Sequence, residues 1–213
     1  MAYFPLFVNL KSKEVLVLGG GETALQEASR FIAFEAVVTV LTEKPDQNLT
    51  LLRDAYPKNI RLVSKKLNMD TIIHLECRPL LVICTVNDNA LNSEVYKYYS
   101  VRNVLVEDFS NSSRCDFIFP AIVKKGDVVC GISSSGKSPH VSQFVKSILE
   151  SSLPENISDI NEHMNEIRRT VKQSISDPAK RSAAMQAIFT RLLEDDNQTP
   201  DYEIDGIIAE AEL

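Results

Sequence analysis

Two glycine-rich stretches in this sequence could each hold a phosphate group, and they ask for different nucleotides. Residues 15–28, "VLVLGGGETALQEA", carry Gly19, Gly21 and Ala24 in a Gly-x-Gly-x-x-Ala spacing. They follow a strand-like apolar run and open a stretch of helical period, the setting that a dinucleotide fingerprint requires. The first glycine makes a tight turn, the second lets the backbone approach a pyrophosphate, and the small third residue lets helix and strand pack closely. Glu22 and Thr23 begin that helix, whose free amides and positive dipole end favour phosphate. Glu43 ends the next strand-like run, with Lys44 beside it. A carboxylate there, about 20 residues after the glycines, takes up the adenosine ribose and favours NAD over its 2′-phosphorylated relative.

The second stretch, "GISSSGKS" at residues 131–138, matches the Gly-x-x-x-x-Gly-Lys-Ser pattern of a P-loop. A P-loop enzyme also needs a parallel sheet around that strand and a later apolar strand ending in Asp to help hold magnesium. After Lys137 the chain reads as helices and an acidic tail, so an ATP- or GTP-dependent phosphotransferase is the weaker of the two nucleotide readings. A turn of serine, glycine and lysine before a helix is still friendly to anions.

Short aliphatic runs alternate with helical stretches from Val15 to Val106. The strand-like runs are "VLVL" (15–18), "VVTVL" (37–41), "IRLV" (60–63), "LLVIC" (80–84) and "NVLV" (103–106). "ALQEASRFIAF" and "LNSEVYKYY" lie between them with helical period. That rhythm predicts βαβ units and a Rossmann-like parallel sheet. After Asp108 the rhythm changes. "FIFPAIV" (117–123) and "DVVCGIS" (127–133) read as a hairpin turned at "KKGD". Three helical runs follow, with Pro139 and Pro178 suited to first turns. The end, "EDDNQTPDYEIDGIIAEAEL", has no basic residue and reads as a solvated tail in which "IDGIIAEAEL" could form a short helix. The expected architecture is α/β: a Rossmann-like domain over residues 1–112, a small β segment over 113–143, and an all-α domain with an acidic tail over 144–213.

A net charge of −6 argues against a nucleic-acid-binding protein, which needs a concentrated basic face. No run approaches the roughly 20 apolar residues that cross a bilayer. The start, "MAYFPLFVNLKSKE", lacks the pattern of a signal peptide. Cys77, Cys84, Cys115 and Cys130 have no C-x-x-C pair, so four reduced thiols, no metal centre and a cytoplasmic location are expected.

Three segments together resemble the siroheme synthase amino-terminal module, the stand-alone precorrin-2 dehydrogenase and sirohydrochlorin ferrochelatase. They are "FPLFVNLKSKEVLVLGGGETA", the Asp-to-"FIFPA" segment, and "ISSSGKSPHVSQFVKSILE" with its Ser-x-Gly-x-Ser-Pro loop. The resemblance spans nearly the whole chain. It implies NAD-dependent oxidation of precorrin-2 to sirohydrochlorin, with insertion of ferrous iron as a second activity in many members. It also implies a homodimer paired through the central segment, and a chain working without a methyltransferase module. On this basis Asp108 is the catalytic base, a role that suits a reaction releasing a proton together with the hydride. Thr85 and Asn87 flank the nicotinamide. Ser134, Gly136, Lys137 and Ser138 bind the tetrapyrrole, and Ser134 stands where some members are phosphorylated. Departures from the family pattern are Gln26 and Glu27 in place of an Arg-Lys pair, Gln143 in place of an arginine, and Glu35 in place of the glycine ending the first helix. A protein that binds tetrapyrrole or NAD without turnover is the remaining alternative.

Overall fold

The computed structural model describes residues 3–212. The chain divides into two units, one ending at Phe119 and one beginning at Pro120.

In the first unit, five strands form a parallel sheet: β1 (Glu14–Leu18), β2 (Val37–Thr42), β3 (Ile60–Ser64), β4 (Leu81–Cys84) and β5 (Leu105–Asp108), in the order β3-β2-β1-β4-β5. A parallel sheet is covered on both faces, so its central strands read as unbroken apolar runs. Val15, Leu16, Val17 and Leu18 accordingly have no exposed surface. Val15 and Val17 pack under α1 (Glu22–Ile32) and α2 (Gln47–Ala55), against Ala24, Ala28, Phe31 and Leu49. Leu16 and Leu18 face the other way, toward α3 (Met69–Ile73) and α4 (Asn89–Ser100), against Ile72, Leu91, Val95 and Tyr99. Burying each such aliphatic side chain contributes about 1.5–3 kcal/mol. Ala24 and Ala28 are small where α1 meets the sheet, as the fingerprint requires.

The expected strand at 103–106 runs two residues later, so Asp108 is the last residue of β5. The same alternation places Val106 and Asp108 on the α4 face and Glu107 on the α1 face. The expected strand at 117–123 begins only at Ala121. Phe117 and Phe119 instead join the core on the α1 side, and Phe119 meets Phe31 edge-to-face with ring centres 5.7 Å apart. An aromatic side chain gains more by filling that core than by extending a hairpin strand.

The second unit holds the antiparallel pair β6 (Ala121–Lys125) and β7 (Val128–Ile132), then α5 (Pro139–Ser152), α6 (Ile157–Ser174), α7 (Pro178–Glu194) and α8 (Asp201–Glu212). Ser138 caps α5 and Asp177 caps α7, each followed by proline in the first turn. The acidic end is folded rather than a solvated tail. Ile204 and Ile208 of α8 are buried with Ile160, Ile167 and Val171 of α6 and Ile188 and Leu192 of α7.

Candidate functional site

The carboxyl ends of β1, β2, β4 and β5 stand level. Leu18 is in register with Leu41 and Cys84, and Cys84 with Asp108. The sheet changes its winding direction between β1 and β4, which is where open α/β sheets bind ligands. The expected cofactor residues and Asp108 all belong to this end of the sheet.

The three glycines play three different parts. Gly19 has a φ of +131°, and a Cβ there would stand 2.2 Å from Thr85 Oγ1. A Cβ on Gly20 would stand 2.1 Å from Thr42 Oγ1 and 2.7 Å from the Lys44 carbonyl oxygen. Those two glycines let the chain turn against its own neighbours. Gly21 differs, because a Cβ built there meets nothing within 4 Å. It is the N-cap of α1, and no side chain caps that helix end. Bare backbone and uncapped first-turn amides at Gly21, Glu22 and Thr23 fit a pyrophosphate, so the residues present suit a dinucleotide. Gly20 was not singled out by the spacing, yet the Asp46 amide donates to its carbonyl and ties the β2–α2 connection to the glycine loop.

Glu43 follows β2 directly and is exposed. Its Oε1 accepts the Leu67 amide at 3.2 Å, which fixes the carboxylate just past the end of β2. Lys44 is exposed next to it. The Thr85 amide and hydroxyl both donate to the Leu18 carbonyl at 2.9 Å, so Thr85 fastens the end of β4 to that of β1. Asn87 is exposed one residue before Asp88, the N-cap of α4.

Asp108 is only 1% exposed and heavily bonded. Its Oδ1 accepts from Asn92 Nδ2 at 2.9 Å, from the Ser110 amide at 2.9 Å and from the Ser110 hydroxyl at 2.6 Å. Its Oδ2 accepts from Arg114 Nε at 2.6 Å. Arg114 is held in turn by Asn89 Oδ1, which accepts from its Nη2 at 2.6 Å. Burial by itself would raise the Asp108 carboxyl, but the bonds from Ser110 and Arg114 outweigh it and hold the group below the usual carboxylate range. Asn92, Ser110 and Arg114 were not legible beforehand, since serine, arginine and asparagine are ordinary loop and helix residues. Next to this cluster, burial and the nearby Asp108 push the Cys84 thiol up to about 12, so it is no nucleophile at neutral pH.

On the opposite face of β5, Glu107 is half-buried and its Oε2 has no partner. Burial, and then the neighbouring Glu27, push its carboxyl up to about 7. Glu27 is 3% exposed and pairs with Arg30 at 3.0 Å, so this departure from the Arg-Lys pattern points inward from α1. Gln26 Nε2 donates to Glu22 Oε1 at 3.3 Å.

Ser134, Gly136, Lys137 and Ser138 lie in the second unit, on the loop from β7 to α5. The Ser134 hydroxyl donates to the Ser138 carbonyl at 2.8 Å and accepts the Ser138 amide at 3.0 Å, while the Ser138 hydroxyl accepts the Val141 amide. Gly136 has a φ of +74° with open space around it, and Lys137 is exposed. The strand before this loop is half of an antiparallel hairpin, not a member of a parallel sheet. That removes the setting a P-loop depends on, and the letter match of residues 131–138 is accidental.

A family model described as "Putative NAD(P)-binding" matches residues 6–121, which takes in the glycine loop, Glu43, Thr85 and Asp108. The chain belongs to this NAD(P)-binding family. Among curated relatives, the siroheme synthase of Hydrogenovibrio crunogenus is 31% identical over 196 residues, covering 92% of this chain and 41% of that protein. The siroheme synthase of Blochmanniella pennsylvanica is 32% identical over 189 residues, covering 89% of this chain and 38% of that one. The chain thus spans about two fifths of the length of the curated relatives it matches. Among solved structures, SirC, precorrin-2 dehydrogenase, superposes with a TM-score of 0.69 at 21% identity, covering 99% of both chains. That likeness establishes a shared fold for this member of the NAD(P)-binding family. The described residues contain no group of three or more His, Cys, Asp or Glu arranged to hold a metal, and no helix long and apolar enough to cross a membrane.

Proposed function

We propose that the chain is an NAD-dependent dehydrogenase that oxidises precorrin-2 to sirohydrochlorin in siroheme biosynthesis. The observation that carries this reading is Gly21, bare backbone facing open space at an uncapped helix start, on the sheet end where Asp108 closes β5. The siroheme synthase relatives supply the substrate class.

Gly19, Gly21, Glu22, Thr23 and Ala24 form the turn that holds the pyrophosphate, through amides and the dipole of α1. Glu43 accepts from the adenosine ribose, with Lys44 beside it, and its carboxylate disfavours a 2′-phosphate by charge repulsion. Thr85 and Asn87 border the nicotinamide side. NAD, when bound, supplies the hydride acceptor. Asp108 is the base that receives the proton released with the hydride, and Arg114 keeps it ionised and ready for that step.

Ser134, Gly136, Lys137 and Ser138 are assigned to the substrate's carboxylates, for which a loop of amides with one free lysine is suited. Ferrous iron is assigned as a second substrate, inserted into sirohydrochlorin with Asp108 again taking protons. Residues 113–143 are assigned as a dimerisation segment between an NAD-binding domain over 1–112 and a helical domain over 144–213, and the dimer is placed in the cytoplasm.

The test is anaerobic incubation with precorrin-2 and NAD, followed by added ferrous iron. Growth of NADH absorbance is the expected result. NAD binding without any NADH would reject the dehydrogenase and leave a binding protein.

A further inference from the structure

Asp108 has a geometric difficulty as a base. Its side chain has no exposed surface, and both oxygens are engaged by donors. A substrate cannot reach either oxygen directly. A proton has to arrive through one of the groups already touching the carboxylate.

Those groups are few. The Arg114 guanidinium stays protonated in proteins and cannot pass a proton on. The Asn92 amide and the Ser110 backbone amide are not proton carriers either. The Ser110 hydroxyl alone can give a proton to Asp108 and accept one from elsewhere. It makes the short 2.6 Å contact to Asp108 Oδ1, and Ser110 is exposed where Asp108 is not. Two further bonds aim it. The Ser110 amide grips the same Oδ1 at 2.9 Å, and Asn92 Nδ2 lies 3.2 Å from Ser110 Oγ. With its own proton directed at Asp108, and Asn92 Nδ2 sharing its two hydrogens among the Val86 carbonyl, Asp108 Oδ1 and Ser110 Oγ, Ser110 Oγ keeps at least one lone pair free.

We propose that Ser110 is the catalytic residue that meets the substrate, relaying its proton to the buried Asp108. This rests on the dehydrogenase reading, in which NAD is the oxidant and takes the hydride. As the substrate's bond to its departing proton breaks, that proton bonds to Ser110 Oγ. The Ser110 O–H bond breaks in the same movement, and its proton passes to Asp108 Oδ1. Ser110 is again a hydroxyl and Asp108 is a neutral acid. The reverse transfer hands the proton to water and restores the carboxylate. Arg114 and Asn92 are positioning residues in this scheme. Arg114 holds Oδ2 and keeps the acceptor charged, while Asn92 fixes Oδ1 and the serine together. The titratable groups facing Asp108 are Arg114, Cys84 and Cys115, and the two thiols are raised by burial and stay neutral at working pH.

The experiment compares the wild-type protein with Ser110→Ala and Ser110→Thr, reading NADH formation from precorrin-2 between pH 5 and 9, with NAD affinity measured in parallel. For Ser110→Ala the expected result is a kcat lower by about 10²–10⁴-fold, the usual worth of acid–base catalysis. NAD affinity stays at the wild-type level. Ser110→Thr keeps the hydroxyl and stays within about tenfold of wild type. Wild-type kcat in Ser110→Ala, or a Ser110→Thr as slow as the alanine variant, overturns the relay and leaves the dehydrogenase standing. If the wild-type protein itself forms no NADH, the dehydrogenase reading falls and the relay with it. Should Ser110→Ala fail to fold, wild-type rates in mixed light and heavy water decide. Two protons in flight give a curved dependence on deuterium fraction, and a straight line overturns the relay.

Discussion

Replacing Glu107 by glutamine should stabilise the protein, and only when the pH is high. Glu107 sits on the α1 face of β5, where the charged groups facing it are Glu27 and Arg30, and its Oε2 has no partner. Burial and Glu27 raise its carboxyl from 4.5 to about 7 in the folded chain. A carboxyl raised on folding means that the native state binds more protons than the unfolded one. Stability therefore falls as pH rises from about 4.5 to about 7, and stays low above that. Roughly 2.5 pH units at 1.36 kcal/mol each give about 3 kcal/mol lost by pH 8, but under about 1 kcal/mol at pH 5. Glutamine has the shape of the neutral acid and no charge to lose, so Glu107→Gln should match wild type near pH 4.5 and exceed it by about 3 kcal/mol at pH 8. Urea unfolding followed by tyrosine fluorescence suits the measurement, because five of the six tyrosines precede residue 120. Parallel pH dependences for variant and wild type would refute the reasoning. They would mean that Glu107 reaches water or a cation that the packing does not show.

Gly21→Val should abolish NAD binding in a calorimetric titration while leaving the melting temperature close to wild type, since a Cβ there has no protein atom within 4 Å. Gly20→Ala should cost about 1–3 kcal/mol in thermal unfolding, because its Cβ would collide with Thr42 and the Lys44 carbonyl. Arg114→Gln should cost about 3–5 kcal/mol at pH 7 by stranding a buried carboxylate. The lowered Asp108 carboxyl contributes stability that is present above about pH 4 and lost as pH falls through its folded value, so this deficit should shrink in acid. The acid limb of kcat/KM should move to higher pH in the same variant. Glu35 adopts a φ of +61° at the end of α1, and its ion pair with Lys11 is exposed, so Glu35→Gly should gain about 1 kcal/mol in urea unfolding. Lys137→Ala should leave NAD affinity unchanged, and ATP binding lost in that variant would revive the P-loop.

The glycine loop was legible because its requirements are local. Gly19, Gly21 and Ala24 have to fall at fixed spacing between an aliphatic run and a helix, and neighbours in sequence supply both. The parallel sheet was legible too, since strands buried on both faces are written as unbroken runs such as Val15–Leu18. The P-loop letters at 131–138 were equally legible and misled, because that motif depends on a parallel sheet that no nearby residue encodes. The acidic end looked solvated because its two buried isoleucines, Ile204 and Ile208, find their partners on α6 and α7.

Sequence by itself determined the glycine loop between the first strand and helix, the alternation of strands and helices, and Asp108 as a residue to watch. Tertiary structure alone decided what Asp108 touches, with Asn92 sixteen positions before it and Arg114 six after it. It also decided that Glu107, one residue away, faces Glu27 instead. Local spacing sets backbone shape, whereas burial, charge pairing and the access of a proton depend on which distant segments the sheet brings to the same face.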